Sequence, residues 1–162
     1  MTASRSLRFS FAALLAASLA ALAACKGTDT TTAPGSLANV TLNAPGSASS
    51  GNPFVVDVAA TAVGVSNVQN GMVMVTLPAP LAVTAVDASS GTSATFSNGA
   101  GATVTWTLGV LDSNSQSTLH VTTEGTLPAG SSAETLTLQA SLTATGITAG
   151  SAVASANVQL TP

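Results

Sequence analysis

Residues 134–146 read "ETLTLQASLTATG", and this stretch decides the fold class. Leu136, Leu138, Ala140 and Leu142 fall on one side of an extended chain. Thr135, Thr137, Gln139, Ser141 and Thr143 fall on the other. A period of two is the signature of a strand with one buried and one wet face. The wet face here is hydroxyl and amide, without a charge.

The same pattern runs outward in both directions. "LANVTLNA" from Leu37 and "NPFVVDVAATA" from Asn52 come first; in the second, Phe54, Val56, Val58 and Ala60 oppose Asp57. "MVMVTLP" and "LAVTAVD" follow, separated by Pro78-Ala79-Pro80. "SATFSN" leads into Gly99 and Gly101, a hairpin signal. "ATVTWTLGVL" groups Val104, Trp106 and Leu108, and "STLHVTTEG" turns Leu119 and Val121 inward and His120 outward. "SAVASANVQLTP" is the last run. Valine and threonine dominate these runs, as β-structure favours, and no helical period occurs after Ala24. The spacing predicts an all-β, antiparallel sandwich of about eight or nine strands over residues 37–162, two sheets packed face to face.

Only 6% of the 162 residues are charged, against about a quarter in an ordinary globular protein. Val and Leu recur throughout, which a disordered chain lacks. Arg5, Arg8 and Lys26 are the only strong bases. A chain beginning at Cys25 would hold one lysine against six carboxylates, leaving a side-chain charge of −5. That excludes a nucleic-acid surface, which requires clustered Lys and Arg.

The N-terminal residues have the layout of a secretory signal peptide: Arg5 and Arg8, then the apolar run Phe9–Ala24. The run falls short of the ~20 apolar residues of a membrane span. Leu22-Ala23-Ala24-Cys25 resembles the lipobox of bacterial lipoproteins. The resemblance implies cleavage before Cys25, lipidation of its thiol and a membrane anchor, with residues 1–24 as the signal. Buried lipid methylenes contribute about 0.8 kcal/mol each, so two or three chains hold a protein firmly. Lys26 stands where an Asp would retain an enteric lipoprotein in the inner membrane, so the resemblance implies an outer-membrane address. Residues 25–36 then form the lipidated start and a polar, aperiodic tether, "KGTDTTTAPGS".

"VTLPAPLAVTAVDASSG", "ATVTWTLGVLDSNSQSTLHVTT" and the last two runs resemble the conserved repeat domain of bacterial surface proteins, a domain of unknown function. "APGSASSGNPFVVDVAATAVG" is similar to that family's opening hairpin. The resemblance implies an immunoglobulin-like fold for residues 37–162. The chain departs from the family pattern at Thr76, where an Asp is usual, at Ala62-Val63-Gly64, and at "GITAGSAVASAN".

Catalysis finds little to work with. His120 is the only histidine, tyrosine is absent, and the lone cysteine allows no internal disulfide. His120 lies among threonines and reads as an exposed strand histidine rather than a triad base. Asp57, Asp87, Asp112, Glu124 and Glu134 are scattered without glycosidase-like spacing. Asp112-Ser113-Asn114-Ser115 reads as an Asx-turn rather than a calcium loop. Three zinc ligands cannot be assembled. Trp106 reads as core rather than as a sugar platform. The expectation is a protein that is not an enzyme and carries no cofactor or metal.

"GMVMVTLP" is unusual in lacking a polar face. Val73, Val75 and Leu77 lie on one side, Met72 and Met74 on the other. Either a loop or the chain end covers the methionines or they belong to a contact patch, for which methionine's adaptable thioether is suited. The sequence therefore points to a lipid-anchored protein of the bacterial cell envelope that contacts another envelope protein or a neighbouring copy. The alternatives are a cell-surface carbohydrate-binding module and, more remotely, an accessory hydrolase using the scattered carboxylates.

Overall fold

Alternating runs must each find a dry partner for one face, and the chain meets this demand with two sheets. The structure, a computed structural model, describes residues 37–63, 67–145 and 152–162. Among the described residues ten strands form: β1 (Leu37–Asn43), β2 (Ser47–Ser49), β3 (Phe54–Val63), β4 (Val68–Pro78), β5 (Leu81–Ala88), β6 (Ser93–Gly99), β7 (Gly101–Leu111), β8 (Gln116–Gly125), β9 (Glu134–Thr145) and β10 (Ala152–Thr161). Four make one sheet in the order β1-β3-β8-β5. Six make the other, in the order β2-β10-β9-β4-β7-β6. Of consecutive strands, only β6–β7 and β9–β10 share a sheet as neighbours; every other connection passes between sheets.

The apolar residues named from the sequence form the core. Val56, Val58, Leu119 and Val121 of the smaller sheet face Val73, Val75, Val104, Trp106, Leu138 and Leu142 of the larger, all buried. Trp106 is the largest of them and is 0% exposed. Its indole N–H donates to Thr92 Oγ1 at 3.0 Å, and the Thr92 hydroxyl donates to the Ser89 carbonyl at 2.7 Å. Thr123 is the one fully buried polar residue among those described, and its hydroxyl donates to Ala82 O at 2.8 Å. No buried side-chain polar atom among the described residues lacks a partner, as a dry core demands.

Two details differ from the expected eight or nine antiparallel strands. The tenth strand is β2, three residues long, and it pairs with β10 in parallel through Ser47↔Gln159 and Ser49↔Thr161. Serine and alanine over three residues leave no alternation to read. The pairing arises because the chain, crossing from β1 to the other sheet, lies along β10, where Gln159 N–H donates to Gly46 O and Ser50 N–H to Thr161 O.

Bulges decide which face each strand buries. In β4 the register breaks between Val68 and Met72, with Asn70 at φ +52°. Val68 is buried, and so are Gly71, Val73, Val75 and Leu77. The extra residue reverses the parity, so Met72 and Met74 point away from the core. β7 bulges opposite, at Gly109 (φ +65°), so that both Leu108 and Leu111 are buried. Gly71 packs closely there: a Cβ would lie 3.1 Å from Leu108 Cβ and Cδ1, so Leu108 would have to shift by a few tenths of an ångström.

Truncating the central ring tests this packing. Trp106→Ala is expected to lower the unfolding free energy by about 3–5 kcal/mol, read from urea denaturation of variant and wild type.

Candidate contact surface

Among the described residues, the outer face of the six-stranded sheet carries no ionisable side chain. Its cross-strand rows follow from the register. Ser93, Thr107, Met72 and Thr143 form one; Thr95, Thr105, Met74, Ser141 and Val153 form the next; Ser97, Thr103, Thr76, Gln139 and Ser155 form a third. Met72 is 39% exposed, Met74 43% and Val153 68%. The two methionines therefore stand in the middle of a field of hydroxyls. Asn70 holds the bulge that turns them outward: its Nδ2 donates to Thr145 Oγ1 at 3.1 Å, and that hydroxyl donates to Gln69 O at 3.1 Å. Among the described residues no loop covers Met72 and Met74.

At one end of this face is a hollow of about 310 Å³ between the end of β4 and the β6–β7 hairpin. Thr76, Ser97, Thr103 and the Gly99–Gly101 turn line it. Gly101 sits at φ +112°, and a Cβ there would come within 2.6 Å of Leu77 O. The lining holds no charged or aromatic side chain.

Ionisable groups gather on the opposite sheet. Asp57 of β3 and Asp87 of β5 flank His120 of β8 in one cross-strand row. His120 Nδ1 and Asp57 Oδ1 are 2.6 Å apart, with both side chains 52% exposed. The sequence offered no link between positions 57 and 120, because strand register fixes it. This arrangement can orient an imidazole, and among the described residues the ring's hydrogen-bond partner is Asp57. Among the described residues no three His, Cys, Asp or Glu side chains group so as to hold a metal. Asp112 lies in the β7–β8 turn. Its carboxylate accepts from Asn67 Nδ2 at 3.0 Å, and its carbonyl accepts from Ser115 N–H at 3.0 Å. The turn is closed by Asn114 at φ +59°. Cys25 and Lys26 lie outside the described residues.

Comparison with known proteins bears on the scaffold. A CARDB domain from Pyrococcus furiosus, crystallised with di-metal ions, superposes with a TM-score of 0.56 at 13% identity, covering 78% of this chain and 94% of that one. A cohesin module of a Clostridium perfringens family 33 glycoside hydrolase gives 0.53 at 15% identity, covering 78% and 98%. The Bacillus cereus major pilin subunit BcpA gives 0.51 at 12% identity, covering 78% and 40%. The fold is an immunoglobulin-like sandwich. No family model matches the chain, and no curated protein matches it. The immunoglobulin-like framework thus agrees with the fold that the surface-protein resemblance implied, and the likeness ends at the fold.

Two outcomes follow for the immunoglobulin-like domain. Met72→Glu with Met74→Glu is expected to keep the fold, at about 1 kcal/mol or less per site, because both side chains already meet water; urea denaturation checks this. Asp57→Asn is expected to change stability by less than about 1 kcal/mol, since a half-exposed pair is weakened by solvent; the same titration at neutral pH reads it.

Proposed function

We propose that this chain is a non-catalytic, lipid-anchored protein of the bacterial cell envelope whose sandwich makes protein contacts. The observation that carries the contact role is the exposure of Met72 and Met74 at the centre of a charge-free sheet face. Contiguous apolar surface with a polar surround is what recognition sites present. Two of the structural likenesses are a cohesin module and a pilin subunit by name, which is in keeping with such a role.

The anchor rests on the Leu22-Ala23-Ala24-Cys25 run behind Arg5, Arg8 and the apolar stretch. Lipidation at Cys25 and a tether of eleven residues, Lys26–Ser36, would let the domain stand up to ~36–40 Å from the headgroups when extended. Lys26 favours the outer membrane. Carbohydrate binding is the weaker reading: Trp106 is buried, and Phe96 is the only openly exposed aromatic among the described residues.

Mass spectrometry of the mature N-terminus is the test. A diacylglyceryl-modified Cys25 is expected, and Cys25→Ser should leave an unprocessed precursor; an unmodified Cys25 defeats the reading. The mature protein should travel with outer membranes on a density gradient. The Met72→Glu, Met74→Glu variant should stay folded yet be recovered with fewer envelope proteins after cross-linking.

A further inference from the structure

A sandwich of two open sheets has four edges, and three are less suited to pairing than the fourth. β2 is only three residues long. β5 is bulged between Val83 and Ala85, carries Asp87, and has the backbone of Val83 occupied: Asn98 Oδ1 accepts its N–H and Asn98 Nδ2 donates to its carbonyl, both at 2.9 Å. β1 is seven residues long and uncharged, but its central Val40 is buried and it offers only Asn39 and Thr41 outward near its middle. Short strands, bulges and charges are the usual guards of an edge.

β6 has none of them. Its residues, Ser93–Gly99, include no charge and no proline, and all are exposed or half-buried. It pairs with β7 alone, and an antiparallel edge strand directs alternate N–H and C=O groups away from its sheet. Phe96 stands at its midpoint. The ring lies on the core side, opposite Val104, yet is 41% exposed because no strand continues the sheet beyond it.

We infer that β6 is where two copies of this chain pair, edge to edge and antiparallel, joining their six-stranded sheets. The strand is suited to a two-fold axis. Centred on Phe96, the axis sets Phe96 against Phe96 of the second copy, Thr95 against Ser97 and Ala94 against Asn98. An isologous contact demands this self-matching, and a cross-strand aromatic pair stabilises it. Charge permits pairing at this edge, since β6 itself carries none. Residues 37–162 hold five carboxylates and no Lys or Arg, so two copies repel wherever those groups meet. Asp57 and Glu124 belong to inner strands of the other sheet, Asp112 to the β7–β8 turn and Glu134 to the start of β9; Asp87 is on β5, the strand tied to β6 through Asn98, but on the outer face of the smaller sheet, in a row with His120. The inference rests on reading the sandwich as a contact module and is independent of the lipid anchor.

The experiment is sedimentation equilibrium of the full chain in non-ionic detergent, over a roughly hundredfold concentration range. Wild type is expected to show a monomer–dimer equilibrium. Phe96→Lys should raise the dissociation constant by about tenfold or more while unfolding at the same urea concentration. Thr41→Lys on β1 should leave it unchanged. In a chain with Cys25→Ala, Phe96→Cys should form a disulfide-linked dimer on mild oxidation, and Ser93→Cys, set against Gly99 of the second copy, should not. A wild type that stays monomeric overturns the inference, as does a dimer indifferent to Phe96→Lys. If a monomer nevertheless loses envelope partners on Met72→Glu and Met74→Glu, the contact reading stands and only the self-pairing fails.

Discussion

The indole of Trp106 must be kept dry while its N–H is satisfied, and the domain's layout follows from meeting both demands. The ring comes from the larger sheet, on β7. Its hydrogen-bond partner, Thr92, comes from the connection that brings the chain back from the smaller sheet. Thr92 in turn is tied to Ser89 through both its hydroxyl and its amide. One hydrogen bond thus fastens an inter-sheet crossing to the centre of the core. A buried donor left unpaired would cost about 1–3 kcal/mol, so ring and loop are held in a single arrangement.

With so little charge available, the surface is kept wet by hydroxyls and amides, and the few ionisable groups are segregated. His120, Asp57, Asp87 and Glu124 occupy the smaller sheet. The larger sheet presents threonine and serine around two methionines. Threonine serves such a face well: its branched carbon suits the pleat while its hydroxyl meets water. The two sides consequently offer different chemistry to the surroundings, one bearing ionisable groups and one bearing hydroxyls and thioethers.

Much of the sandwich could be read from residue alternation. β9 shows why: Leu136 to Leu142 keep strict period two, and each is buried. The inward Trp106 and outward His120 were legible for the same reason. Alternation carries no information on pairing partners, so the four-and-six division and the meeting of His120 with Asp57 could not be seen. β2 was too short to have a period. The bulge in β4 left a trace, the Asn70-Gly71 pair, since asparagine tolerates positive φ. Its consequence, the reversed parity that exposes Met72 and Met74, requires knowing that Val68 is also buried. The exposed methionine pair was therefore visible as an oddity of composition, and its exposure followed only from a backbone irregularity.

The position of β10 bears on when the domain can form. This strand, last of the ten in chain order, is an interior member of its sheet, seated between β9 and β2. Until residues 152–161 have left the ribosome, and any export channel, β2 has no partner and Val158 and Leu160 are missing from the core. The earlier strands must wait with apolar faces unpaired, and most of their own contacts also join segments distant in the chain. Such topologies fold slowly and expose aggregation-prone edges meanwhile. A chain of this order therefore closes its core in one late step, once its last strand is available, rather than strand by strand as it is made.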